Sequence, residues 1–281
     1  MIYSLFAKSQ FSFFSGLATK KKVLLALVQR DLQQRYAGSY LGIAWAILQP
    51  LATIAVYTIV FSMVFRASVP KSYHEVPYVI FLMCGLIPYQ IFSETIRRST
   101  NVLISNMNMI TKMVFPYELL PVATLATAFV TGGITLVLTL LLMLVLGVFP
   151  TFSYLVFLPA FLIPLVLLST GLAWLVSCLS VVVKDIGHVV PVALHLLLFA
   201  TPILYSYEMV EKCATHHPTI VALDKLNPLY AIAIGHKIAL IGGQFVLEGH
   251  TIVTSYMISI VVFITGGVVF NVFKRDLADW F

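Results

Sequence analysis

Charge is what this sequence lacks most. Of its 281 residues only 10% are Asp, Glu, Lys or Arg, while 60% are apolar; an ordinary soluble domain carries about 25% and roughly 45–50%. Cysteine is nearly absent, and Cys84, Cys178 and Cys213 form no C-x-x-C pair, which argues against a metal knuckle or a redox couple. No G-x-x-x-x-G-K-S/T occurs, so the chain cannot cradle a nucleotide by the P-loop route. H-E-x-x-H, G-x-S-x-G and D-x-D are missing too, and the few carboxylates are scattered instead of converging in one apolar segment. Mid-membrane ionisable groups and paired repeats, the marks of gradient-driven carriers, are not found.

What is present is a series of apolar blocks of about 20 residues or more, enough to cross a hydrocarbon layer roughly 30 Å thick. An all-α membrane protein is expected, with six transmembrane helices at about 43–65, 76–96, 119–146, 154–183, 189–205 and 250–273, the first broken near its start by Pro50. Lys20 to Tyr36 has Leu24, Val28 and Leu32 at four-residue spacing between basic ends, and predicts an N-terminal amphipathic helix lying in the interface. Gly38 and Gly42 then offer bends. Residues 1–42 are therefore a cytoplasmic N-terminus with its interface helix, 43–273 the transmembrane domain and 274–281 a cytoplasmic tail. Met1 to Gly16 has neither a continuous apolar run nor an A-x-A site, so no removable signal peptide is expected.

Between the fifth and sixth spans, Leu229 to Ile241 is apolar but half a span long, which fits a re-entrant or interfacial helix better than a crossing. The formal charge of +6 reflects basic loops and not nucleic-acid binding, because Lys and Arg concentrate on one side. With an even number of spans, twelve basic residues fall on the side of the termini against five on the other, so both termini are expected to be cytoplasmic.

From Leu27 the string LVQRDLQQRYAGSYLGIAWAILQPLATIAVYTIVFSMVF combines R-D-x-x-x-R-Y (Arg30, Asp31, Arg35, Tyr36) with L-G-x-A-W-A-x-L-Q-P (Leu41 to Pro50). It resembles the opening of the permease subunits of ABC-2 type exporters, specifically those for O-antigen and capsular polysaccharide. NMNMITKMVFPYELLPV, VVVKDIGHVVPVALHLLLFATPILYS and NPLYAIAIGHKIALIGG resemble the same family. The resemblance implies a homodimer in the bacterial inner membrane, bound to two copies of a cytoplasmic ATPase. That pair would move an undecaprenyl-diphosphate-linked glycan outward. No cofactor is implied for this chain; ATP and Mg belong to the ATPase. Teichoic-acid and other ABC-2 permeases share the plan, and a glycan-modifying membrane enzyme or a structural scaffold are alternatives from other classes.

Within that frame Ser105 to Glu118 is the expected coupling segment, where Met107, Met109, Ile110, Met113 and Phe115 supply adaptable apolar knobs flanked by Lys112 and Glu118. A loop resting on lipid is the alternative. Arg30, Arg35, Tyr36 and Tyr40 are candidates for a substrate entrance, since the guanidinium fork pairs with phosphate oxygens; headgroup anchoring explains them equally. Arg97 and Arg98 could meet the diphosphate, or form a helical ion pair with Glu94. Trp45, Tyr57, Phe61, Phe65, Tyr89 and Phe92 are candidate sugar-stacking residues of a channel, with helix packing as the alternative. By resemblance, the half-helix begun by Asn227 and Pro228, with Gly235 inside it, is a periplasmic gate; as an N-cap and first-turn pair, Asn227 and Pro228 suit a helix start.

Overall fold

The structure is a computed structural model that describes residues 20–66, 69, 76–112, 116–150, 156–205, 226–242 and 247–276. Every regular element among them is helical. The interface helix, α1, runs Lys21–Tyr36. Gly38 and Gly42 then take φ of +77° and +52°, a left-handed backbone that glycine adopts without a Cβ clash, and turn the chain into the first span. That span opens with a 3₁₀ turn, Gly42–Ala44, continues as α2, Trp45–Tyr57, and widens into π-helical turns over Thr58–Val64. Pro50 does not break it, contrary to expectation: α2 passes through the proline, which removes a single backbone hydrogen bond, and apolar helices in a membrane tolerate that loss.

The remaining helices are α3, Tyr78–Ser105; α4, Met107–Lys112; α5, Leu119–Val145; α6, Leu158–Val182; α7, Ile186–Ala200; α8, Pro228–Ile241; and α9, Gly249–Asp276. Among the described residues, five stretches are long and apolar enough to cross a membrane: Gly42–Val64, α3, α5, α6 and α9. α3 continues past the expected end at 96, through Arg97 and Arg98, so its 28 residues are about 42 Å long and outreach the hydrocarbon layer. The expected fifth crossing contains a shorter helix. α7 has 15 residues, about 22 Å, and ends where Thr201 turns extended (φ −107°, ψ 137°), the conformation forced on a residue preceding proline, here Pro202.

α3 is the axis of the bundle. It packs against α5, α6, α7 and α8, and most of its residues between Val79 and Leu103 are buried. α8 inserts beside it among α3, α6 and α9 and is buried on nearly every side, so it does not lie on the surface of the bundle. Asn227 caps it by accepting the Leu229 N–H at 3.0 Å, and Pro228 fills the first position where no N–H is needed. α6 and α9 form the closest crossing: a Cβ on Gly171 would run into the Val262 carbonyl, and one on Gly266 into that of Gly171. Two bare backbones in contact supply the dispersion that lipid cannot supply between helices.

Gly171→Leu is therefore expected to force α6 and α9 apart and to cost about 1–3 kcal/mol, the range for overpacking. Gly133→Ala, which faces open space, serves as the neutral control. Thermal unfolding of the two purified variants in one detergent checks the contrast.

Candidate functional site

α1 presents an inner face of two halves. Val23, Leu24, Leu27 and Val28 pack on Leu103, Leu119 and Leu120, whereas Arg30, Asp31 and Arg35, one and two turns later, meet polar partners on α3 and just beyond it. Arg30 Nη2 donates to Asn106 Oδ1 at 2.6 Å while its Nη1 lies 2.6 Å from the Met109 sulfur. Asp31 accepts from Arg98, and Arg35 pairs with Glu94. Glu94 also accepts from the Thr131 hydroxyl at 2.9 Å and has Arg98 Nη1 at 3.6 Å, one helical turn on. Four guanidiniums thus face two carboxylates, and positive charge is left over. The Arg97 guanidinium meets no acceptor among the described residues.

That seam borders a cavity of about 320 Å³. Its walls come from α1 (Arg35, Tyr36), the first span (Ala46, Gln49, Pro50, Thr53), α3 (Tyr89, Gln90, Ser93, Glu94, Arg97), α5 (Thr131, Gly132, Thr135) and α7 (Pro191, Leu194, His195, Leu198). Amides and hydroxyls alternate there with ring and aliphatic surface, and the charge sits at the α1 end. Tyr89 is held in the wall by donating to the Leu194 carbonyl. Such a space suits an anionic head group followed by something rich in hydroxyls.

The expected entrance and channel residues are thus divided. Arg35, Tyr36, Tyr89 and Arg97 line the cavity; Arg30 and Arg98 are turned to the seam beside it. Tyr40 is fully exposed, and Trp45 projects from the outside of the first span. Tyr57, Phe61 and Phe65 form a ladder with centroid separations of 5.9 Å, extended by Phe61 stacked on Tyr78 at 5.4 Å, so this row ties the first span to α3 away from the cavity. Phe92 is buried in the core. Gln49 and Thr53, which continue the Trp45 ridge of the first span toward the cytoplasm in the sequence reading, line the cavity, as does His195, for which helix–helix contact is the sequence expectation; Gln90, Ser93, Thr131 and Thr135 are absent from that reading, although polar residues four apart within an apolar span (131 and 135) are the signal that marks two of them.

In the expected coupling segment, α4 turns Met109 and Ile110 inward against α1 and its neighbours, while Asn108 is exposed. Met107 is partly buried, and Met113, Phe115 and the Lys112 side chain lie outside the described residues. Glu118 is no surface flank. It is 4% exposed and binds Lys20 at 2.9 Å and Lys274 at 2.7 Å, joining α1, the start of α5 and the end of α9, and its carbonyl accepts from the Trp174 indole. At the opposite end, Asn227 donates to Thr201, Gly235 lies against the Phe161 ring with no room for a Cβ, and Lys237 buries its ammonium over Phe81 while donating to the Pro202 and Ile203 carbonyls.

Residues 22–235 match the family model of the ABC-2 type transporter. The chain belongs to that family. Among curated relatives, an O-antigen export system permease protein from Myxococcus xanthus is 28% identical over 215 residues, 76% of this chain and 78% of its own length. One of the same description from Klebsiella pneumoniae is 26% identical over 92% of this chain and 94% of its own length, and a polysialic acid transport protein from Escherichia coli is 24% identical over 70% and 75%. As an ABC-2 chain with several helices long and apolar enough to span, it is a multi-pass membrane protein and a transport subunit.

Burial raises the pKa of Glu118 in this ABC-2 chain, but the hydrogen bonds from Lys274 and Lys20 outweigh it and leave the carboxyl below its usual 4.5. A lowered folded pKa means the junction contributes its full stability above the ordinary carboxylate value and loses it as pH falls through the lowered one. Thermal unfolding followed against pH should therefore be insensitive to this group above about pH 5 and fall below about pH 4. Glu118→Gln should lower stability at neutral pH and flatten that acid slope.

Proposed function

We propose that this chain is the membrane permease of a bacterial polysaccharide exporter, with a lipid-diphosphate-linked glycan as its cargo. The observation that carries the reading is the cavity beside α1, where uncompensated guanidinium charge adjoins a wall of amides, hydroxyls and the Tyr89 ring. Arg pairs with phosphate oxygens in bidentate geometry, and ring faces beside hydrogen-bonding groups suit sugars. The named relatives, O-antigen permeases and a polysialic acid transporter, support a glycan cargo of the O-antigen or capsule kind. The α1 side is the cytoplasmic face in this reading, with both termini there and α8 toward the periplasm. The bias of basic residues supports that orientation.

Two copies work together. One copy holds a cavity of about 320 Å³, room for a head group and a sugar but not for a path through the membrane. The first span, which carries Gln49 and Thr53 into that cavity, is otherwise almost entirely uncovered. A second copy facing this side would enclose a wider passage. Hydrolysis of MgATP falls to a separate cytoplasmic ATPase, two copies per dimer, seated under α4. α8 closes the far end, held by Asn227 and Lys237 on the turn after α7.

Co-purification with a candidate ATPase subunit tests the assignment, with cysteine cross-linking from the exposed position on α4. Asn108→Cys is expected to cross-link to the ATPase in the assembled complex, and Ile43→Cys, exposed on the first span, is not. Failure of any ATPase to associate, or equal labelling from both positions, would contradict it.

A further inference from the structure

The Arg35–Glu94 ion pair sits at the charged end of the cavity, beside Arg97, where an anionic head group would meet its guanidiniums. Arg35 reaches it from the last turn of α1, its side chain 21% exposed; Glu94 reaches it from α3 and is 14% exposed. The next guanidinium along the wall, Arg97, is exposed to the cavity and has no partner among the described residues. One cation therefore waits for a ligand while its neighbour is already engaged by a carboxylate of the protein itself.

A second observation concerns what happens to Glu94 if Arg35 leaves. Arg98 donates through Nη2 to Asp31, but its Nη1 is buried with no hydrogen-bond partner and lies 3.6 Å from Glu94 Oε1. A closure of roughly 0.7 Å brings that contact to the 2.7–2.9 Å of a charge-assisted bond. Thr131 meanwhile keeps the other carboxylate oxygen at 2.9 Å. Glu94 is thus the acceptor in two alternative pairs, one made and one nearly made, and giving up Arg35 to an incoming anion leaves neither the carboxylate nor the guanidinium unpaired. That removes the penalty of stranding a buried charge, which normally opposes breaking a partly buried ion pair.

We propose that Glu94 is an internal stand-in for the cargo's diphosphate: an incoming diphosphate takes Arg35 together with Arg97, and Glu94 shifts to Arg98. This rests on the cavity being the head-group site. A diphosphate carries more charge than one carboxylate and offers oxygens to both guanidinium forks at once, so it outcompetes Glu94 where a singly charged phospholipid does not. The exchange also undoes the last tether of α1 before the Gly38 bend, while Asp31–Arg98 and Arg30–Asn106 hold the rest of the helix.

The test is binding of undecaprenyl diphosphate to the purified chain in zwitterionic nanodiscs, with inorganic pyrophosphate and phosphatidylglycerol in parallel arms. Glu94→Gln is expected to bind the diphosphate lipid about tenfold more tightly, since its competitor for Arg35 is gone; Glu94→Asp, which keeps the charge but shortens the reach, should show part of that gain. Arg35→Gln and Arg97→Gln should each weaken binding about tenfold, and Glu94→Gln should add nothing to Arg35→Gln. Asp185→Asn, which removes an exposed carboxylate on the α6–α7 turn at the same end of the bundle, controls for charge alone. If Glu94→Gln gains no more than Asp185→Asn while the two arginine variants still lose affinity, the exchange is wrong and the cavity reading survives. Should the arginine variants bind as the wild type does, the cavity reading itself fails. Phosphatidylglycerol matching the diphosphate lipid in every variant overturns the proposal. Equal affinity for inorganic pyrophosphate assigns recognition to the diphosphate alone, and weaker affinity adds the lipid chain; both keep the exchange.

Discussion

A charged group at the edge of a hydrocarbon layer has little water to fall back on, so a membrane helix that carries one toward the protein must bring it to a partner. α1 and the Lys20 that precedes it bring Lys20, Arg30, Asp31 and Arg35 to the inner side, and each finds a partner: Glu118, Asn106, Arg98 and Glu94. These contacts fix where α1 lies, and its position decides the remainder. With α1 seated, Gly38 and Gly42 direct the first span along α5, and the gap left between that span, α3, α5 and α7 is the cavity. Glu118 extends the same arrangement to α9 through Lys274, so both ends of the described chain converge on the segment that precedes α5.

The two ends of the bundle are held by different physics. Near α1 the contacts are between side-chain charges, which can exchange partners at modest cost when a third charge is close by. At α8 they run from side chains to backbone carbonyls: Lys237 to Pro202 and Ile203, His236 to Cys84, Ser255 to Pro228. The Pro202 and Ile203 carbonyls follow the helix end at Thr201, and the buried lysine is their donor. An end built from exchangeable ion pairs suits the recognition of an arriving anion, whereas an end locked by a buried cation and close-packed glycine suits a seal.

Hydropathy made the long spans legible because the hydrocarbon layer imposes a length, and the four-residue spacing of Leu24, Val28 and Leu32 made α1 legible because helix geometry imposes a face. Asn227–Pro228 announced the start of α8 through local cap chemistry. Pairings between distant positions were not legible. Arg35 and Glu94 lie 59 residues apart, and from sequence alone the near neighbours Arg97 and Arg98 were equal candidates for Glu94; only packing against Asp31 turns Arg98 inward and leaves Arg97 to the cavity. Aromatic spacing left the partners open for a related reason. Tyr57, Phe61 and Phe65 share a ridge, and only the structure shows that Tyr78 on α3 extends their stack. Met109 and Ile110 suited an outward knob by residue type, yet the same adaptability lets them pack against α1.

The most direct measurement is photo-cross-linking of a lipid-diphosphate-linked glycan to a benzoylphenylalanine placed either at Gln49, in the cavity wall, or at Val137, exposed on α5 outside it. The account predicts labelling at Gln49 that unlabelled lipid-linked glycan competes away, with background labelling at Val137. Equal labelling at the two positions, or none at Gln49 in a transporting complex, would contradict it.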